Sequence, residues 1–348
     1  MDRQQLKPLP AQCRVRLVIP CRNEAKYIGR LIRSIAAADR RSVDLQVWIC
    51  DGMSDDGTRE IIASGMQDWP FVRLMDNPAR TTPQALNLGL KDLAYEVGII
   101  LGAHAEIDRN FLQENLKVLC ERNDVGCAGG LIMNVYENST ARRIGAAMGH
   151  PFGVGDAHFR TGTAEGFVDT VAFGAYRAEV FKAIGFFDEE LVRNQDDEFN
   201  FRVMKAGFGI YLSPRIRSSY FVRGNYRKLF RQYFQYGFWK VYVNRKHRTV
   251  TTIRQLVPAI FVLSLLIPII IGIFFPFFLL LMIAVLFAYL AAATASAFRA
   301  ARDMADVPGV IFAFMILHSA YGLGYLQGLV ELVLLGRSPA ERAGSMTR

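Results

Sequence analysis

Three acids in a row, Asp196, Asp197 and Glu198, follow the amide pair Asn194 and Gln195 and lead into a helical pattern in VRNQDDEFNFR. Such a cluster concentrates negative charge where one carboxylate can take the proton from an attacking hydroxyl. Acids also suit the first turn of any helix, because the macrodipole favours negative charge there. The surrounding chain has to decide between the two.

Upstream, apolar runs alternate with amphipathic ones. RVRLVIP closes on Pro20, and Ile28, Leu31, Ile32 and Ile35 then recur at helical spacing. Further strands are expected at Leu45 to Cys50, Val72 to Met75 and Val97 to Leu101, with a helix from Arg109 to Glu121. Thr82 is expected to cap a helix that has Pro83 in its first position. Alternation of this kind implies an α/β domain with a mainly parallel sheet, whose ligands bind at the carboxyl ends of the strands. The loops there carry Pro20, Arg22, Asn23 and Glu24, then Asp51, Gly52, Asp55 and Asp56. Their carboxylates suit a base imide or ribose hydroxyls. Turn and cap preferences explain any one such loop, but several on one sheet edge favour a nucleotide. Neither G-x-G-x-x-G nor G-x-x-x-x-G-K-[ST] opens the first helix, which disfavours a dinucleotide site and a P-loop.

Downstream the chain changes character. The formal charge is +9, yet the cations gather between Arg215 and Arg254, beside apolar runs. That placement points to anionic lipid headgroups rather than nucleic acid. In NYRKLFRQYFQYGFWKVYVNRKHR, the residues Tyr226, Leu229, Phe230, Tyr233, Gly237 and Val241 share one helical side, with Arg227, Lys228, Arg231 and Lys240 elsewhere. This describes an interfacial helix. Leu256 to Phe275, Phe277 to Phe298 and Pro308 to Leu335 are each long and apolar enough to cross a membrane. Arg299 and Arg302 follow the second run, and with the upstream domain cytoplasmic the positive-inside rule puts the Pro276 turn outside and the Arg299 loop inside. The third run holds His318, Gly322, Gly324, Gln327 and Glu331, and is expected to be broken, re-entrant or packed in an oligomer. The irregular GHPFGVGDAHFRTG reads as a mobile lid or an acceptor-side wall, with His150 and His158 as loop anchors. Five cysteines without C-x-x-C spacing read as reduced thiols, and no apolar stretch before Leu17 suggests a signal peptide.

VIPCRNE, DGMSDDGT, NPARTTPQALNLG, VDTVAFGAYRAEVF and FDEELVRNQDDEFNFRVMKAG together resemble the successive motifs of family 2 glycosyltransferases. These are inverting enzymes of GT-A fold, and the succinoglycan-type exopolysaccharide glucosyltransferases are the nearest subgroup. The resemblance implies a donor nucleotide pocket lined by Pro20, Arg22, Glu24, Asp51 and Asp56, with Arg80 on the diphosphate. It implies Asp196 as the base, with Asp197 the weaker candidate, and Gln195, Glu198 and Arg202 as the rest of that motif. Gln232 and Trp239 match residues that lie near the acceptor. The family's metal motif, Asp-x-Asp or Asp-x-His, stands here as Gly102, Ala103, His104, so a divalent cation, Mn²⁺ or Mg²⁺, would rest on His104, with Glu106 and Asp108 as substitutes.

By this resemblance the expected organisation is a tail over 1–13, a GT-A catalytic domain over 14–222, an interfacial segment over 223–250, transmembrane helices over 256–335 and a basic tail over 336–348. The expected activity is transfer of a hexose from a UDP-sugar to a polyprenyl-diphosphate-linked glycan at a bacterial inner membrane. The alternatives are a polyprenyl-phosphate transferase, a processive synthase, and a degenerate scaffold that binds nucleotide sugar or lipid without turnover.

Overall fold

The computed structural model describes residues 3–155, 157–162, 165–251 and 253–339. They fall into two compact units, one of residues up to Met133 together with His158–Phe221, the other of Asn134–Ala157 together with the chain from Val222. Arg342 and Arg348 of the expected basic tail lie outside the described residues.

The first unit is built on a sheet with nine strands among the described residues: β1 (Cys13–Cys21), β2 (Val43–Asp51), β3 (Val72–Asp76), β4 (Val97–Ile100), β5 (Ala105–Ile107), β6 (Val125–Val135), β7 (Gly166–Phe167), β8 (Ala172–Arg177) and β9 (Gly209–Phe221). Their order is β3-β2-β1-β4-β8-β6-β9-β5, with β7 on β9. β3, β2, β1 and β4 pair in parallel, and from β4 to β8 onward the recorded pairings are antiparallel. The parallel half carries the loops singled out above. Helices α1 (Ile28–Ala36), α2 (Thr58–Asp68), α3 (Thr82–Leu90) and α4 (Phe111–Glu121) connect its strands and enter the rest of the sheet. Ile28, Leu31, Ile32 and Ile35 of α1 are all buried in one core with Leu17, Ile19, Val47 and Ile49. The spacing i, i+3, i+4, i+7 puts them on one face. At the start of α3 the N-cap position belongs to Thr81, whose side chain makes no capping bond, and Thr82 is already helical.

Residues 134–162, expected as an irregular loop, are largely helical: α5 (Ser139–Met148), α6 (Pro151–Val154) and α7 (His158–Thr161). Asn138 caps α5 by accepting from the Ala141 amide at 2.8 Å, and His150 caps α6 through Nδ1. α8 (Ala178–Ile184) and α9 (Gln195–Lys205) complete the first unit.

The second unit contains α5, α6, α10 (Tyr226–His247), α11 (Leu256–Gly272), α12 (Phe277–Ala300) and α13 (Val307–Gly328), the last continued by a π-helical turn over Leu329–Leu334. Among the described residues three helical segments, Ile253–Gly272, Phe277–Ala300 and Met304–Leu334, are long and apolar enough to cross a membrane. The glycines of α13 do not break it. A Cβ on Gly324 would overlap the carbonyl oxygen of Phe234, and one on Gly237 the carbonyl of Tyr321, so α10 and α13 meet backbone to backbone. The polar residues find partners inside the unit: His318 bonds Tyr289 Oη (2.9 Å) and the Phe152 carbonyl (2.8 Å), and Gln327 donates to Glu331 (2.6 Å).

Candidate active site

At the carboxyl edge of the parallel strands the first two loops are zipped together. The Asn23 amide donates to Ser54 Oγ at 2.8 Å, the Asp55 amide to Asn23 Oδ1 at 3.1 Å, and the Glu24 amide to Thr58 Oγ1 at 2.8 Å. Asn23 and Met53 take left-handed backbone conformations to make these turns. A Cβ on Gly52 would crowd the Arg22 stem at 3.2 Å. Pro20 occupies the rung opposite Cys50 and is half-buried. Asp56 is exposed. Its partial burial raises the carboxyl's pKa, but bonds from Thr58 Oγ1 and the Ala25 and Thr58 amides outweigh that and hold it below the usual carboxylate range.

Asp51 differs from Asp56 in being wholly buried. Its oxygens accept from the Ser54 amide (2.9 Å), from Ser54 Oγ, and from Arg59 Nη1 (2.8 Å). Arg80 stands exposed in a left-handed turn after β3.

His104 lies just beyond β4. Its Nε2 is 2.8 Å from Glu24 Oε1, and its ring meets the edge of Tyr27 with centroids 4.7 Å apart. Glu106 instead pairs with Ser219 in β5, and Asp108 accepts from the Asn110 amide at 3.0 Å in a local turn. Among the described residues no three His, Cys, Asp or Glu side chains converge as a metal cage. One imidazole beside one carboxylate nevertheless suits Mn²⁺, which accepts mixed N/O ligands, when phosphate oxygens and water complete the shell.

The acidic motif opens α9. Asn194 adopts a left-handed conformation (φ 60°), which Asn tolerates, and the helix begins at Gln195, so all three acids fall in its first turn. They are not equivalent: Asp196 is exposed, Asp197 half-buried and Glu198 fully buried. Glu198 pairs with Arg202 (2.9 Å), which also donates to the carbonyls of Ile184 and Phe186, both at 2.7 Å. Phe199 stacks on Phe187 with centroids 4.4 Å apart. Asn200 accepts from Tyr176 Oη (2.8 Å) and donates to Thr170 Oγ1 (2.9 Å). The helix is thus fixed from several directions, with Asp196 facing solvent.

Residues that sequence reasoning passed over complete this scaffold. Asn87 on α3 exchanges two 2.9 Å bonds with the Phe187 backbone and donates to Glu189, so it staples α3 to the segment before α9. A polar side chain inside the apolar run ALNLGL was the available signal. Arg59 is the other omission. In the second unit Gln232 donates to Tyr236 Oη at 2.8 Å, and Trp239 is fully buried beside Phe238 and Tyr242.

Comparison with known proteins bears on this arrangement. The family model described as glycosyl transferase family 2 matches residues 17–185. The succinoglycan biosynthesis protein ExoA of Rhizobium meliloti (strain 1021) is 32% identical over 251 residues, 70% of this chain and 73% of the relative. The chain belongs to glycosyltransferase family 2. A second relative of this glycosyltransferase, the dolichyl N-acetyl-alpha-D-glucosaminyl phosphate 3-beta-D-2,3-diacetamido-2,3-dideoxy-beta-D-glucuronosyltransferase of Methanococcus voltae, is 30% identical over 240 residues, 67% of this chain and 74% of the relative. The mannosyltransferase PcManGT from Pyrobaculum calidifontis, solved with GDP-Man and Mn²⁺, shares the fold at a TM-score of 0.56 and 17% identity, over 96% of this chain and 90% of that one. The fold is GT-A-like, with C-terminal apolar helices consistent with membrane spans.

Proposed function

We propose that this glycosyltransferase transfers a hexose from a UDP-sugar, with inversion, to a polyprenyl-diphosphate-linked glycan at the cytoplasmic face of a bacterial inner membrane, in exopolysaccharide or surface-glycan biosynthesis. The observation that carries the reading is the exposed Asp196 carboxylate on a helix immobilised by Glu198, Arg202 and Asn200, in a family 2 fold whose chain also holds three apolar helices. The names of the two relatives, one a glucuronosyltransferase of a dolichyl N-acetyl-alpha-D-glucosaminyl phosphate and one a succinoglycan biosynthesis protein, support a lipid-linked acceptor and a polysaccharide product.

In this mechanism Asp196 takes the proton from the acceptor hydroxyl as that oxygen attacks the anomeric carbon from the face opposite the diphosphate. The loops bearing Pro20, Arg22, Glu24, Asp51 and Asp56 hold the nucleoside, and Arg80 meets the diphosphate. A divalent cation held by His104 and Glu24 would neutralise charge on the leaving diphosphate. Gln232 and Trp239 belong to the acceptor side.

The test is nucleoside diphosphate release by the full chain in proteoliposomes, with a panel of UDP- and GDP-sugars and a lipid-linked acceptor. Release that requires the acceptor and stops in Asp196→Asn supports the reading. Nucleotide-sugar binding without turnover under any donor and metal would replace it with the scaffold alternative.

A further inference from the structure

The last rung of the β2–β3 pairing sets two carboxylates side by side, Asp51 opposite Asp76. Adjacent like charges at the end of parallel strands repel each other, and Asp51 is in addition 0% exposed, where an uncompensated charge is costly. Arg59, from the first turn of α2, resolves both problems. Its Nη1 donates to Asp51 Oδ2 at 2.8 Å and its Nη2 to Asp76 Oδ1 at 2.7 Å. The planar fork of a guanidinium spans two acceptors in a fixed geometry that an ammonium cannot reproduce. The Asp76 side chain is 64% exposed and that of Arg59 32%, so this bridge lies open at the strand ends, where α/β sheets receive their ligands. The Asp51 backbone joins the same corner, since its carbonyl accepts from the Asn77 amide at 2.8 Å.

A carboxylate has about four lone-pair directions. Three contacts to Asp51 are recorded, two from Ser54 and one from Arg59. These hold the buried carboxylate fixed. We propose that Arg59 is a positioning residue of the donor site, one that anchors on the buried Asp51 and holds the exposed Asp76 beside it as an acceptor for a nucleoside hydroxyl or imide donor. This rests on the nucleotide-sugar reading above and goes beyond it, since neither Arg59 nor Asp76 belongs to the residues that the motifs supply. Arg59 acts through its two partners and need not touch the nucleotide. Asp76, on its exposed side, does.

The experiment is calorimetric titration of the full chain in nanodiscs with UDP and with GDP, in Mn²⁺, for wild type, Arg59→Gln, Arg59→Lys and Asp76→Asn, with thermal unfolding measured on the same samples. Losing charge-assisted bonds at this corner weakens nucleotide binding about tenfold or more in Arg59→Gln. Arg59→Lys recovers part of that loss, because one carboxylate can still be reached, and in turnover assays the defect appears in the donor KM with kcat little changed. Asp76→Asn weakens binding severalfold while leaving the melting temperature in place, and it stands as the deciding variant if Arg59→Gln does not fold. Wild-type binding together with unchanged affinity in Arg59→Gln, or in Asp76→Asn where Arg59→Gln is lost, overturns this proposal alone. A wild type that binds neither nucleotide overturns the donor-site reading and this proposal with it.

Discussion

His104 Nε2 lies 2.8 Å from Glu24 Oε1, joining the loop after β4 to the loop after β1. The Glu24 side chain is 5% exposed and that of His104 14%, so the contact is shielded. It brings an imidazole and a carboxylate together near Gly102, which stands where the family resemblance expects the first acid of a metal motif. A Cβ on Gly102 would lie 3.3 Å from the Phe173 ring, a contact that a small shift of the ring relieves.

If His104 and Glu24 hold the cation, His104→Ala raises the Mn²⁺ concentration needed for half-maximal turnover, and Gly102→Asp lowers it and extends activity to Mg²⁺, which favours oxygen ligands. Manganese titrations of turnover, read beside manganese binding followed by electron paramagnetic resonance, check both. Unchanged metal dependence in both variants removes His104 from the metal site.

Asp196→Asn should lower kcat by about 10²- to 10⁴-fold, the usual worth of a positioned general base. The residue is exposed, so the melting temperature should hold. Asp197→Asn should cost much less in turnover. Equal losses in the two variants would move the base assignment from one carboxylate to the pair.

Arg202→Leu tests a different role in the same motif. It leaves Glu198 buried without its guanidinium and frees the carbonyls of Ile184 and Phe186. Removing one partner of a buried pair costs about 3–5 kcal/mol. Thermal unfolding should show a large drop, and any loss of activity should track the folded fraction. A melting temperature equal to wild type with activity gone would instead place Arg202 in the chemistry.

Asp56 supplies a pH signature. Its folded pKa is depressed, so its contribution is present above the unfolded value of about 3.9 and is lost as pH falls through the lower folded value. Urea midpoints for wild type and Asp56→Asn should differ at pH 5 to 7 and converge below about pH 4. The exposure of Asp56 keeps the difference small. A gap that widens on acidification would contradict the sign.

The parallel half of the sheet was legible because its strands and helices announce themselves by period, as with Ile28, Leu31, Ile32 and Ile35 of α1. The inequality of Asp196, Asp197 and Glu198 was not legible from the residues alone, because it depends on the left-handed Asn194 and on Arg202 turning back to the carbonyls of Ile184 and Phe186 at the end of α8. Local pattern does not encode such returns. Arg59 escaped notice for a similar reason: its two partners are neighbours only through strand register. In the second unit, the stripe of Tyr226, Leu229, Phe230, Tyr233, Gly237 and Val241 described one side of α10 only in part: Phe230 is exposed, and the buried surface also takes in Gln235, Trp239 and Lys240, since α13 packs closely along the helix.

That packing gives the last prediction. Gly237 and Gly324 let α10 and α13 approach until a Cβ on either would overlap a carbonyl oxygen of the other helix. Backbone cannot rotate aside as a side chain can, so Gly324→Leu forces the helices apart. Separation would also strip neighbouring contacts, including the 3.2 Å bond from Asn244 to Tyr325 Oη. Overpacking of this kind costs about 1–3 kcal/mol or more, and it acts on a region remote in sequence from Asp196. Gly324→Leu should therefore lower the melting temperature and the yield of folded protein from membranes. Gly336→Ala provides the control: a Cβ there meets nothing, and only its positive φ of 62° is strained. If Gly324→Leu melts no lower than Gly336→Ala, the two helices do not pack backbone to backbone in the membrane.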